Sequence, residues 1–326
     1  MQGCSLIDDD LSNCGYDYKM VYKLRLITNM QTELDEVLHA DADLPAKEEI
    51  SRYLAPVFSD MAHDVDISFY TQPDDVRSFY KYEIIDDNRS EYVFYLPVEN
   101  YMNLCVANLD YNEIVRIADT VGSKVSRLTL PEGTRFSPQR TGLFASRLPM
   151  QIQDTVGDQE FEVTLYMANC ASVLVLDTAG CTNDGIRAEV RGTADEFMIA
   201  DSTYSFSRKV VVDAENTATA RALLPGRMPL AQSVNSKVCF AAVSFPSADT
   251  ADAEGNYWEM AVYVSLSDGT VTETLLTAKA PLNAGHVKII RAKLDDKGRV
   301  SPVGDSEMGA QVTLDWKEGG TYNPTL

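Results

Sequence analysis

Histidine and tryptophan are scarce in this chain, and their scarcity removes much of enzyme chemistry. Its 326 residues include three histidines and two tryptophans. His39, His63 and His286 fall in no metal-ligand spacing such as HExxH, and they are expected to be structural or surface residues. There is no Gly-x-Ser-x-Gly nucleophile elbow. Gly122-Ser123-Lys124 lacks the upstream glycine of a phosphate loop. The sequence therefore leads us to expect no catalytic residues, no cofactor and no metal.

Basic residues are also few. Lys and Arg total 28 against 49 Asp and Glu, for a net charge of −21. Such a field repels phosphate backbones, so nucleic acid is not an expected partner. It equally repels an anionic membrane, so any attachment there must come from something other than a basic patch. No apolar run approaches the roughly 20 residues that span a bilayer. The longest, from Ala171 to Leu176 with Ser172 inside it, reads as a buried strand. The three residues ahead of Cys4 are too few for a signal peptide, yet a small residue followed by a cysteine is how a bacterial lipoprotein signal ends. No Cys-x-x-Cys occurs, and the six cysteines (4, 14, 105, 170, 181 and 239) match no zinc spacing. Cys105, Cys170 and Cys239 lie in apolar strand-like runs and read as buried free thiols. Whether Cys170 and Cys181 bridge neighbouring strands is open at this level.

What the chain does contain is strand pattern. Tyr22-Lys23-Leu24-Arg25-Leu26 alternates apolar with basic residues, and Asp64 to Phe69 alternates with acidic ones, as half-buried strands do. Tyr92–Val98 and Tyr101–Val106 add two more. In the second half, Phe161, Val163, Leu165 and Met167 alternate with polar neighbours, as do Ile186, Ala188 and Val190. The run from Trp258 to Leu266 does likewise, and Asp268-Gly269 marks a hairpin. Lys237–Phe245, Val287–Leu294 and the set Val312, Leu314, Trp316 complete the series. One segment differs: Ile50, Tyr53, Leu54, Val57, Phe58 and Met61 follow helical spacing, with Pro45 near its start and Pro56 inside it. It reads as a helix from about Ala46, packed on the first sandwich.

This density of strands, with one helix, implies an all-β chain of antiparallel sandwiches. The length suits two domains at about 100–200 residues each. The segment 131–150, with Pro131, Pro138, Pro149, Gly133, Gly142 and three arginines, reads as their boundary. The expected organisation is an acidic tether at 1–18, a first β-sandwich domain at 19–148 and a second at 149–326. Arg135, Arg140 and Arg147 read as solvated charges, with protease sites in an exposed linker as the alternative.

The two ends carry a resemblance. Cys4-Ser5-Leu6-Ile7-Asp8-Asp9-Asp10-Leu11-Ser12-Asn13-Cys14, then Tyr16-Asp17-Tyr18, resembles the mature start of FimB-type anchor subunits of Bacteroidales type V fimbriae. Val312-Thr313-Leu314-Asp315-Trp316 and the following Gly319 to Pro324 are similar to that family's closing strand and tail. The resemblance implies two tandem transthyretin-like sandwiches and a lipid on Cys4. It also implies an outer-membrane, surface-exposed location and partnership with fimbrial shaft or accessory pilin subunits by strand complementation, at the base or at the tip. The competing readings are a surface glycan-binding lipoprotein of a polysaccharide-utilisation system and a hydrolase on a β-scaffold. The first of these calls for exposed aromatics, but Trp258 and Trp316 both sit in alternating patterns that suggest core.

Overall fold

A computed structural model of the chain describes residues 17–27, 44–58, 62–84, 91–118, 122–155, 157–178, 181, 185–218, 237–304 and 308–317. The first half runs β1 (Asp17–Ile27), helix α1 (Leu44–Leu54), β2 (Asp64–Thr71), β3 (Val76–Ile84), β4 (Glu91–Pro97), β5 (Asn100–Ala107), β6 (Arg116–Ile117), β7 (Arg127–Thr129), β8 (Arg135–Phe136), β9 (Phe144–Gln151) and β10 (Gln159–Met167). The second half runs β11 (Cys170–Asp177), β12 (Gly185–Arg191), β13 (Glu196–Met198), β14 (Thr203–Ser205), β15 (Val211–Asn216), β16 (Lys237–Ser244), β17 (Trp258–Ser265), β18 (Thr270–Ala278), β19 (Val287–Leu294), β20 (Val300–Pro302) and β21 (Met308–Lys317).

The architecture is all-β, with helix α1 and a short 3-10 turn at Ser123–Val125 among the described residues. A seven-stranded sheet has the order β3-β2-β5-β9-β10-β1-β4. A ten-stranded sheet has the order β20-β19-β11-β16-β15-β12-β17-β18-β21, with β8 added beside β15. A small sheet of order β14-β13-β7-β6 covers one side. Most ladders are antiparallel, but β1 with β10, β11 with β19 and β8 with β15 run parallel.

Both large sheets curl. In the first, rings from strands far apart in the sheet order meet edge to face: Phe69 on β2 lies 6.0 Å from Tyr22 on β1 and 5.6 Å from Phe94 on β4. Aromatic pairs favour this geometry. In the second, the Val300 amide donates to Thr274 Oγ1 at 3.2 Å, which draws β20 toward β18.

The continuous apolar runs of β11 and β16 have a physical reason. Both strands are buried on both faces, which removes the usual alternation. Cys170, Leu174, Leu176, Phe240 and Ala242 enter the larger core. Ala171, Val173, Val175, Cys239, Ala241 and Val243 face the other core, with Ile50, Leu54, Val57 and Phe58. The helix therefore sits at the junction of the two sheets, packed against β16. Tyr53 Oη donates to Glu215 Oε2 at 3.0 Å and Thr217 Oγ1 to Glu49 Oε1 at 2.5 Å across the same junction. Pro56 ends the helix, and the Val57 and Phe58 amides close the last turn on the Leu54 carbonyl. Met61 lies outside the described residues.

The stretch 131–150 is built into the fold rather than exposed between domains. It supplies β8 and most of β9, and Phe136, Gln139, Thr141, Leu143 and Phe144 are buried. Arg135 pairs with Glu189 and Asp213 at 2.6 and 2.7 Å, and Arg140 with Glu215 at 2.6 Å. A Cβ on Gly142 would collide with the Val57 carbonyl, so glycine here serves close packing rather than a linker. The expected division between 148 and 149 falls inside β9. The chain leaves the first sheet after Met167 and enters the second at Cys170. Strand β1 takes in Asp17 and Tyr18, so the expected tether ends before residue 17.

Cys105, Cys170, Cys181 and Cys239 form no disulfide among the described residues. Cys170 Sγ lies 3.5 Å from the Ser244 carbonyl and Cys181 Sγ 3.0 Å from that of Leu294, so Cys170 and Cys181 form no bridge. Burial pushes the Cys170 thiol up to about 12. Cys181 alone of the four is only half-buried. N-Ethylmaleimide on the native protein is expected to modify Cys181 ahead of the other three, as read by peptide mass spectrometry.

A single arginine fastens the 130–133 loop. Arg208 donates to Asp195 Oδ2 at 3.0 Å and to the carbonyls of Leu130, Pro131 and Gly133 at 3.0, 2.7 and 3.2 Å. Burial pushes the Asp195 carboxyl up, but hydrogen bonds from Ser207 and Arg208 outweigh it and hold the group below the usual carboxylate range. A lowered folded pKa contributes stability that is complete above the unfolded value and lost as pH falls through the folded one. Arg208→Ala should therefore cost on the order of 3 kcal/mol at pH 7 in urea melts, because it strands a buried charge. The gap to wild type should narrow below about pH 4, where Asp195 begins to protonate in the unfolded chain.

Candidate anchor strand and its sheet edge

Strand β1 is the first described element after the acidic N-terminal segment, and its sequence seats it deeply. Met20 and Tyr22 are fully buried, while Lys19, Lys23 and Arg25 point outward. It lies inside the sheet, antiparallel to β4 from Asp17↔Pro97 to Lys23↔Glu91 and parallel to β10 from Met20↔Gln159 to Ile27↔Tyr166. The Tyr22 hydroxyl donates to Asn103 Oδ1 at 2.6 Å, and Asn103 Nδ2 donates to the Ser68 carbonyl at 3.1 Å. Burial pushes the Tyr22 phenol far above its usual range, so it stays a neutral donor.

The outer face of the β1–β10 pair carries a ladder of ion pairs. Lys19 meets Asp158 at 2.6 Å, Lys23 meets Glu160, and Arg25 meets Glu162 at 3.8 Å. Lys23 and Arg25 reach two residues back from their register partners Glu162 and Thr164. All six side chains are at least 40% exposed, so the ladder adds little to equilibrium stability and chiefly matches β1 to β10.

Beyond β1, β4 closes the sheet among the described strands. Its inner residues Tyr92, Phe94 and Leu96 are buried, while Val93 and Tyr95 are 42% and 57% exposed and Val98, just past it, is 46%. A hydrophobic strand at a sheet edge is a template for pairing with another chain. Tyr166, 62% exposed, stands on β10 near the end of the same face.

The residues singled out in the sequence fall elsewhere. Cys4 and Cys14 lie outside the described residues, as does His39. His63 packs tilted against Tyr111 with ring centres 4.7 Å apart, and the His286 carbonyl accepts from the Ala171 amide. The amides of Ser123 and Lys124 are taken by the Asp75 carboxylate at 2.6 and 3.4 Å. Trp258 is buried and its Nε1 donates to the Ala280 carbonyl at 3.2 Å. Trp316 belongs to β21, opposite Val271.

The most heavily connected carboxylate is structural. Glu189, buried on β12, accepts from Arg135 and Arg191, each at 2.6 Å, and from Tyr263 Oη at 3.0 Å. Burial pushes its carboxyl up, but the bonds from Arg191 and Arg135 win and hold it below the usual range. A carboxylate so saturated is a poor general acid or base. Sequence reasoning missed the parallel partner of β1 and the ion-pair ladder. The facing signals were present as Lys19, Lys23 and Arg25 in one segment and Asp158, Glu160 and Glu162 in another.

With this geometry described, comparison identifies the fold. A candidate adhesin from Bacteroides ovatus matches at TM-score 0.55 with 10% identity, over 95% of this chain and 99% of that one. The chain has the fold of this candidate adhesin. A candidate polysaccharide-binding protein from Bacteroides thetaiotaomicron matches at 0.51, again with 10% identity, over 89% and 99%. The fimbrial anchor protein Mfa2 from Porphyromonas gingivalis is a more distant neighbour at 0.46, with 11% identity over 93% and 98%. No protein-family model and no curated protein matches the sequence.

Two substitutions in β1 separate its inner and outer faces. Tyr22→Phe should cost about 1–3 kcal/mol, since it leaves the buried Asn103 carbonyl without its donor. Lys23→Ala should cost less than about 1 kcal/mol. Urea denaturation of the purified protein measures both.

Proposed function

We propose that the chain is a non-catalytic fimbrial or adhesion protein of the bacterial surface, held to the outer membrane by lipid on Cys4. The observation that carries the reading is the fold shared with the Bacteroides ovatus adhesin over nearly the full length of both chains. The anchor-like start at Cys4–Tyr18 supports the lipid, and the chain's charge of −21 is consistent with a membrane link other than a basic patch. A single acyl chain holds a protein only marginally, so stable attachment requires the several chains that a bacterial lipoprotein carries. In this reading residues 1–16 are the tether, and two tandem sandwich units meet at Ala168-Asn169. Shaft or accessory pilins are the partners and add a strand at an open sheet edge, for which β4 is a suitable site.

One observation favours a second reading, a glycan-binding surface lipoprotein: the shared fold with the candidate polysaccharide-binding protein. It would have to use Tyr95, Tyr111, Tyr166 or Phe206, which are exposed, rather than Trp258.

Metabolic labelling with a clickable fatty acid in the native host tests the anchor. Label is expected on wild type and absent from Cys4→Ala, with surface fimbriae shed into the medium of the mutant. An unlabelled wild type would overturn the lipid anchor. Fimbriae that stay attached in an unlabelled mutant would overturn the anchoring role.

A further inference from the structure

We propose that β1 and β10 form a mechanical clamp, through which tension entering at the N-terminus is carried as shear into the second sheet. This rests on the reading that the protein is held by Cys4. Any pull on the body of the molecule then enters the described structure at Asp17, the first residue of β1.

The exit of that load is set by topology. Strand β10 ends at Met167 and passes through Ala168-Asn169 directly into β11, which is buried on both faces between the two cores. The Ala168 amide donates to the Leu143 carbonyl at 2.7 Å, and the Asn169 side chain donates to Gln139 Oε1 and the Thr141 carbonyl at 3.0 and 2.9 Å. The link between the sheets is thus itself pinned.

The decisive feature is direction. Because β1 and β10 are parallel, tension at the N-terminal end of β1 and the C-terminal end of β10 acts along the strands in opposite senses. The register pairs from Met20↔Gln159 to Ile27↔Tyr166 are then loaded together. Were the two strands antiparallel, those same two ends would lie side by side, and tension would open the ladder one bond at a time. On its other side β1 is held by β4 over a comparable length. Sliding it also drags Met20 and Tyr22 out of the core and breaks the Tyr22–Asn103 bond. A slip of one residue would turn every side chain to the wrong face. The ion-pair ladder spans this same interface. It matters little at equilibrium, but it lies across the line along which the pair must shear.

Single-molecule pulling on the full chain tests the clamp without any substitution in it. One handle is fused at the N-terminus. The second is placed either in the exposed turn at Glu254-Gly255 of the second unit, which loads β1 against β10 in shear, or at the exposed Gly157 just ahead of β10, which peels the same pair from one end. Both tagged proteins should melt like wild type, since both sites are exposed and a Cβ added at Gly157 or Gly255 meets no other residue within 4 Å. The force at which β1 detaches is expected to be at least about twofold higher in the shear geometry at equal loading rate, because forced unfolding is governed by the barrier along the pulling direction. Equal detachment forces in the two geometries would overturn the clamp. The handles stand in for the lipid, so this result is independent of the fatty-acid labelling of Cys4. An unlabelled Cys4 with a high shear ratio would remove the anchor and leave the clamp, and the reverse pair of results would do the opposite.

Discussion

The parallel pairing of β1 with β10 is the constraint on which the first sheet depends. It inserts the N-terminal strand between β4 and β10 instead of leaving it at an edge. Without it, Met20 and Tyr22 would not reach the core, and the aromatic cluster of Tyr22, Phe69, Phe94 and Tyr101 would lose a member. The same pairing makes the first sheet non-local: its fifth strand in order is contributed by residues 159–167, directly before the chain crosses into the second sheet. The two units are therefore joined through a central strand, not through a loose linker.

The junction shows the same economy of parts. Strands β11 and β16 serve both cores at once, so the face that a lone sandwich would expose to water is covered here by α1 and the first sheet. Burying such a face is favourable at roughly 25 cal/mol per Å2 of apolar surface, which argues for a stiff association of the two units. Polar groups at its rim, including Tyr53, Glu215, Arg140, Glu49 and Thr217, are matched to one another.

Much of the fold was legible in the sequence. The alternation in Tyr22–Leu26, in Phe161–Met167 and in Ile186–Val190 marked strands, and the helical spacing of Ile50, Tyr53, Leu54, Val57 and Phe58 marked the helix. The apolar runs of β11 and β16 marked burial. What periodicity does not carry is partner and direction. A strand reads the same whether its neighbour is parallel or antiparallel, so the β1–β10 pair was invisible. The stretch 131–150 misled for a related reason: its prolines and glycines suggest a linker, but Gly142 is there for close approach to Val57, Arg135 and Arg140 are ion-paired, and Pro149 sits exposed on β9. The lipid site rests on the resemblance of the N-terminal segment alone, since Cys4 lies outside the described residues.

Hydrogen exchange of the native protein, followed by mass spectrometry, tests the seating of β1 most directly. If β1 is locked between β4 and β10, peptides covering 17–27 should exchange as slowly as those covering 170–177 in the doubly buried β11, with both released only by global unfolding. Rapid exchange of 17–27 while 170–177 stays protected would mean that β1 leaves the sheet readily, and would contradict the account.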